Sequence, residues 1–470
     1  MAKVEQGLRL GFADSAAVAK PLFTQFCGFE HMHWRQSVAY ASLTDVGFRR
    51  ANNQDSYEYH VCSDEQEWQR RGHLFLVADG MGGHAVGELA SKLAADTVPH
   101  EFYRESDEPI SEALVNSLVE ANRVIHDRGT HNREFDRMGT TCTAITLCEE
   151  GLYVGHIGDS RCYRVRDGLI EQLTFDHSLQ WELIRQGAVK PEEVHLHHPR
   201  NVITRCLGPE AVVDVDLEGP IEVRSGDRYL LCSDGLTGHL NDDEIGYILN
   251  TMPPKHAAKL LVHLTNLRGG SDNTTVVVVH VGEVPADALP QRKQVIKARP
   301  TESTPLLVGG MWAVLAGLTG GIILMILGQA NPLLKPAGLA LLVIALMGLV
   351  GWLAYAWWFR RKRGPIKLTK PKASGKTTGG PYRRAAAKVT RTFMTQLAAV
   401  VGELQRTGEE ERWHFDSDKV QSLADEAANA VEQKKPGHAM RLYTEAIDLF
   451  MRAIQEHRRL QAESPTSASD

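Results

Sequence analysis

Four aspartates recur in one sequence context. "VADGMGGHAVGE" delivers Asp79 at the end of an apolar run and follows it with Gly80, Gly82 and Gly83, and "GLYVGHIGDS" brings Asp159 to a strand end before Ser160. "DRYLLCSDGL" sets Asp234 before Gly235, and "GGSDNTTVVVVHV" sets Asp272 at the head of a valine run. One Asp-Gly pair is ordinary turn chemistry, because Asp bonds its own backbone and Gly tolerates positive φ. Four carboxylates at strand mouths with small neighbours point instead to a shared acidic cleft. Like charges that close repel strongly in a low dielectric, so such a cleft calls for a cation. All-oxygen ligands suit hard ions such as Mg²⁺ or Mn²⁺ rather than zinc. Gly80 serves such a centre twice, since it lets solvent reach the ion and leaves a backbone carbonyl free to bind it. An anion such as phosphate held there needs a partner as well, and "TDVGFRRANNQDSYE" offers Arg50 on a small, polar stretch. The planar fork of Arg matches phosphate bidentately.

These residues must be positioned by the elements between 37 and 281. Short β-rich runs ("SVAYASL", "HLFLVA", "TAITLC", "GLYVGHI", "RCYRV", "RYLLCS", "TTVVVVHV") alternate with turns, and helical patterns fall mainly at 88–103, 110–128, 242–249 and 255–267. Several strands follow one another without a crossover helix, which favours antiparallel sheets with helices outside over a doubly wound parallel sheet.

The ordered set "D-x-G-x-x-R-x-x-N-x-D", "ADGMGGHAxGExAS", "GTT", "GHIGDSRxY", "DHS", "ITRxLG", "GDxxLLCSDGL" and "GGSDNTTxVVV" resembles the metal-dependent protein serine/threonine phosphatases of type 2C, especially their bacterial branch. The resemblance covers roughly half of the chain. It implies a four-layer αββα sandwich of two antiparallel sheets flanked by helices. It implies a binuclear centre for Mn²⁺ or Mg²⁺, in which Asp79 bridges two ions, the Gly80 carbonyl binds one, and Asp234 with Asp272 completes the other. Asp159 with Asp234 would hold a third, weaker ion. Arg50 matches the phosphate-clamping arginine and Asp55 the acidic residue behind the metal-bound waters. The implied reaction is hydrolysis of phosphoserine and phosphothreonine in proteins by a water bridging two cations, without a covalent intermediate. A bacterial-type Ser/Thr kinase is the implied counterpart.

Two positions depart from the family pattern. Gln54 stands where Glu is usual, which predicts weaker metal binding or slower turnover. Met81 stands where eukaryotic members have the His that protonates the leaving group, and His84 has only proximity in its favour as a substitute. "HLHHPR", with His195, His197 and His198, falls in the segment matching the mobile flap, 178–201, and reads as a polar loop. The reading of a different class is a degenerate phosphatase fold kept as a binding or sensing module, with the helical tail recruiting partners.

The net charge of −6 is unevenly spread: residues 359–392 carry twelve Lys or Arg and no Asp or Glu, so the remainder carries −18. An acidic body argues against nucleic acid as a partner. Seven cysteines without CxxC spacing read as buried reduced thiols. No secretory signal is apparent in the first twenty residues. Segments 306–328 and 337–358 are free of charge, and about 22 residues at 1.5 Å each span a bilayer core. Their outer flanks are basic and their connection carries one Lys, which predicts a transmembrane hairpin in the cell (inner) membrane with both termini cytoplasmic. The expected organisation is therefore an unassigned extension (1–35), a phosphatase domain (36–283), a linker (284–305), the two membrane helices, a basic linker (359–384) whose part from Lys370 onward is either laid on anionic lipid or a solvated spacer, and a helical C-terminal region (385–470).

Overall fold

The computed structural model describes residues 9–11, 38–282 apart from 83, 132, 136 and 190–201, and 381–463, with isolated positions between 319 and 347. The chain divides into two compact units, one formed by Met1–Ala298 with Ala373–Asp470 and the other by Arg299–Lys372.

Two antiparallel sheets stack in the first unit. One is ordered β1 (Arg9–Gly11), β2 (Val38–Asp45), β12 (Thr274–Val281), β11 (Arg228–Cys232), β8 (Arg161–Arg166), β9 (Leu169–Gln172) and β13 (Arg383–Ala386). The other is ordered β10 (Asp216–Ile221), β7 (Gly151–Ile157), β6 (Cys142–Cys148), β4 (His73–Met81) and β3 (Asp55–His60), with the two-residue β5 (Gly139–Thr140) on the end of β4. Helix α1 (Glu65–Arg71) is short and capped by Asp64. The second sheet is covered by α2 (His84–Phe102) and α3 (Ile110–His131). Helix α4 (Leu179–Arg185) and the single turn α5 (Asp234–Thr237) border the strand ends, and α6 (Asp242–Thr251) and α7 (Pro254–Leu267) cover the first sheet.

The period-two pattern of the strands explains the layers. In β4, Leu74, Leu76 and Ala78 face the α2–α3 layer, whereas Phe75 and Val77 face the other sheet. In β12, Val276 and Val278 face α7 while Val277 and Val279 join the inter-sheet core. Strands covered on both faces need apolar residues at consecutive positions, hence "TTVVVV" rather than alternation. All six described cysteines are free and five are buried, as expected of reduced thiols.

The C-terminal region departs from the expected layout. The last two residues of the anticipated basic linker, Arg383 and Arg384, with Ala385 and Ala386, form β13 and pair in register with β9. An unpaired β9 would expose a row of N–H and C=O groups, and four added residues satisfy it. Of the helices α8 (Arg391–Glu410), α9 (Ser417–Glu432) and α10 (Pro436–Glu463), α10 packs on α7 and the other two pack on α10, and all share one apolar core with α7. Ala439, Leu442, Ala446, Ile447 and Phe450, which share one helical face in sequence, are all buried. Asp448 of α10 bonds Lys259 Nζ at 2.9 Å and His263 Nε2 at 3.1 Å across this seam. The tail is part of the folded domain.

Among the described residues no helix is long and apolar enough to cross a membrane. Segments 306–328 and 337–358 lie largely outside those residues.

Candidate active site

Five strand ends deliver carboxylates to one place. Asp79 sits near the end of β4, and Asp55, at the start of β3, is its register partner across the ladder. Asp159 follows β7, Asp234 opens α5 directly after β11, and Asp272 precedes β12. Asp79 feels the charges of all four others. Asp159, Asp234 and Asp272 line a common cavity of about 680 Å³.

The glycines beside these acids are required by close backbone approach. A Cβ on Gly80 would lie 2.0 Å from the Gly87 carbonyl oxygen, and one on Gly235 would lie 1.9 Å from that of Asn273. Backbone can pack this tightly around Asp79 and Asp234 only without a side chain.

Neighbouring polar groups fix the acids. The Asp79 amide donates to Thr141 Oγ1 at 2.9 Å, and its carbonyl accepts from Thr140 Oγ1 at 2.9 Å and the Thr141 amide at 2.8 Å. Thr141 in turn bonds Ser160, the residue after Asp159, at 2.8 Å. Ser233 Oγ donates to Asp55 Oδ2 at 2.7 Å. Asn273 accepts from the Gln54 amide at 2.8 Å and donates to the Val46 and Asn52 carbonyls, so it ties down the loop carrying Arg50. His177 Nδ1 accepts from the Gly158 amide at 3.0 Å, which leaves Nε2 to donate to Asp216 at 3.1 Å. Arg161 forks onto Asp176 at 2.7–3.0 Å. "GTT", "DHS" and "SDNTT" were visible as motifs, but Thr140, Thr141, Ser233, Asn273, His177 and Arg161 have types common in turns. Only their tertiary partners show what they hold.

Electrostatics set this cluster apart. Burial first, then the charges of Asp234 and Asp272, pushes Asp55 up to about 7 despite the hydroxyl bond from Ser233. Burial and Asp272 push Asp234 up to about 6, against a hydrogen bond with Asp79. Burial followed by neighbouring carboxylates raises Asp79 and Asp159 well above the usual range.

The donor set fits divalent cations. It is all oxygen, it carries excess negative charge, and Asp55 Oδ1 is buried with no hydrogen-bond partner in the protein. Among the described residues, however, no group of three or more His, Cys, Asp or Glu side chains is arranged so as to hold a metal ion. Arg50 Nη2 bonds Asp272 Oδ2 at 2.7 Å, so the arginine occupies one of the acids.

Every acid anticipated from sequence therefore lies in this cluster, with Arg50 and Gly80 beside it. Gln54 gives its carbonyl to the Gly80 amide at 3.1 Å. Met81 is half-buried at the end of β4. His84 opens α2, and its side chain, like His195, His197 and His198, lies outside the described residues.

Comparison with known proteins gives the family of the chain. The protein phosphatase 2C family matches residues 49–259. The protein phosphatase PhpP of Streptococcus pneumoniae is 35% identical over 250 residues, 52% of this chain and 98% of the relative. The chain belongs to the protein phosphatase 2C family. Another type 2C relative, the serine/threonine protein phosphatase PstP of Mycobacterium tuberculosis, is 38% identical over 248 residues; the match spans 52% of this chain and 45% of the relative. The chain thus spans less than half the length of that mycobacterial relative. A crystal structure of M. tuberculosis PstP/Ppp covers 53% of this chain and all of its own at 36% identity and a TM-score of 0.47. Another, of the PstP catalytic domain in complex with two manganese ions, covers 53% of this chain and 99% of its own at 36% identity and a TM-score of 0.45.

Proposed function

We propose that this chain is a metal-dependent protein serine/threonine phosphatase that hydrolyses phosphoserine and phosphothreonine in proteins. The observation carrying this reading is the convergence of Asp55, Asp79, Asp159, Asp234 and Asp272 beside Arg50, in a chain whose matched relatives include proteins named serine/threonine phosphatases.

Asp79, the Gly80 carbonyl, Asp234 and Asp272 would hold two Mn²⁺ or Mg²⁺ ions, and Asp159 with Asp234 a third, weaker one. Bound ions of this kind neutralise the acids and lower the pKa of coordinated water, supplying the nucleophile. Arg50 would leave Asp272 and clamp the phosphate oxygens of the substrate, which fixes the phosphorus for in-line attack and stabilises charge on the equatorial oxygens. Asp55, with one oxygen bonded by Ser233 and the other free, would orient water at the centre. Thr140 and Thr141 hold the Asp79 backbone so that its carboxylate keeps its aim.

The phosphatase would be anchored by a two-helix hairpin at 306–328 and 337–358, acting on membrane-associated or cytoplasmic phosphoproteins opposite a Ser/Thr kinase. Among the described positions there, Leu327, Leu339, Val343, Leu346 and Met347 are helical and exposed, a surface suited to lipid tails. Docking of β13 and α8–α10 on the catalytic domain also requires both flanks of the segment to return to the same side, which two spans provide.

Full-length protein assayed with a phosphothreonine peptide and Mn²⁺, beside Asp79→Asn, separates this reading from a binding module. A phosphatase releases phosphate and the variant does not. Saturable peptide binding without turnover in both proteins would favour the module.

A further inference from the structure

Strand β13 brings two arginines to the rim of the catalytic cavity. The cavity that holds Asp159, Asp234 and Asp272 extends to Asp242, Arg383 and Arg384. At about 680 Å³ it exceeds what one phosphorylated side chain fills and has room for flanking residues of a peptide. Trp181 of α4 lines it too, braced edge-on by Phe175 with ring centres 5.1 Å apart, and Phe175 packs in turn on Tyr382.

The arginines along this wall differ in how fully they are neutralised. Arg161 is consumed by the buried Asp176, and Arg383 Nε lies 3.3 Å from Asp242. Arg384 Nε lies 2.9 Å from Glu171, but Glu171 is already paired with Arg164. One carboxylate shared by two guanidinium groups leaves Arg384 only partly neutralised at the edge of a cavity that six carboxylates and three guanidinium groups line. Both β13 arginines use Nε for their contacts, and their side chains remain 51% and 63% exposed. The fork geometry of Arg leaves terminal donors for a second carboxylate.

We propose that Arg383 and Arg384 form a specificity subsite that binds an acidic side chain flanking the phosphoresidue of a protein substrate. This subsite rests on the phosphatase reading above. It gives the C-terminal segment a part in substrate choice, since the strand that seals the edge of β9 also builds one wall of the cavity. A role confined to sheet edge closure would affect stability and leave the choice between peptides untouched.

The test compares kcat/KM of the full-length protein with Mn²⁺ on two phosphothreonine peptides that differ only in glutamates or glutamines flanking the phosphoresidue. Wild type should favour the glutamate peptide about fivefold, the scale of an ion pair that stays half exposed. The ratio should fall to about one in Arg383→Gln/Arg384→Gln and move below one in Arg384→Glu, mainly through KM. An active wild type without preference, or variants that lose activity equally on both peptides, would overturn the subsite alone. A wild type inactive on both peptides would overturn the phosphatase reading and the subsite with it.

Discussion

Gly80 and Gly235 show how much of the centre is set by what is missing. Each follows an acid, and each is forbidden a Cβ by a carbonyl oxygen 2.0 Å or 1.9 Å from where it would sit. Gly235→Ala should therefore cost about 1–3 kcal/mol, measurable as a fall in thermal midpoint, because backbone cannot yield as a side chain would. The same change should weaken Mn²⁺ binding by displacing Asp234; a variant with wild-type stability and affinity would contradict this. Asp55→Asn removes an acid behind the proposed ions and should reduce metal affinity about 10–100-fold, read by titration calorimetry. The acids themselves were legible, because four Asp residues at strand mouths with small neighbours, two of them followed by Gly, are improbable as turn chemistry alone. Thr141, Asn273 and Ser233 were not, since a hydroxyl or amide that clamps another strand's backbone looks the same in sequence as one that faces water. Asp55 was reached through the family pattern, and its pairing with Asp79 in register supplies the physical reason.

At the scale of elements, the alternating strands and their antiparallel order could be read from periodicity, while the docking of the tail could not. Helices α8–α10 carry apolar faces that would suit a partner protein as well as this domain, and only the shared core with α7 decides between them. The Asp448 seam can be tested by pH. Burial works against the Asp448 carboxylate, but bonds from His263 and Lys259 outweigh it and hold its pKa below the usual range. A carboxyl depressed in the folded state stabilises above its unfolded pKa of about 3.9 and loses that contribution as the pH falls through the folded value. Asp448→Asn should accordingly destabilise the domain by about 1–3 kcal/mol at pH 7, and the gap between variant and wild type, followed by urea unfolding, should begin to narrow only as the pH falls below about 4. A gap independent of pH would show that the seam is held by packing alone. At its far end α10 sets Arg458 over the Phe48 ring at 4.3 Å, two residues before Arg50. Arg458→Ala should raise the KM for a phosphopeptide about two- to fivefold, since a cation–π contact at an exposed site is worth about 0.5–1 kcal/mol. An unchanged KM would leave α10 without influence on the Arg50 loop.

For the whole molecule, catalytic domain and tail form one body, and the chain between them carries the apolar and basic segments proposed to reach the membrane. Full-length protein should sediment with membranes and be released by detergent, whereas deletion of 306–358 across a flexible linker should leave it in the supernatant. Recovery of the deleted form with the membranes would contradict the hairpin. The account depends above all on the claim that the five converging aspartates gather cations for phosphoester hydrolysis. The most direct test titrates the chelator-treated full-length protein with Mn²⁺ while phosphate release from a phosphothreonine peptide is followed. Release should be absent without metal and rise to saturation as Mn²⁺ is added; release that is independent of Mn²⁺, or absent at every concentration, would contradict it.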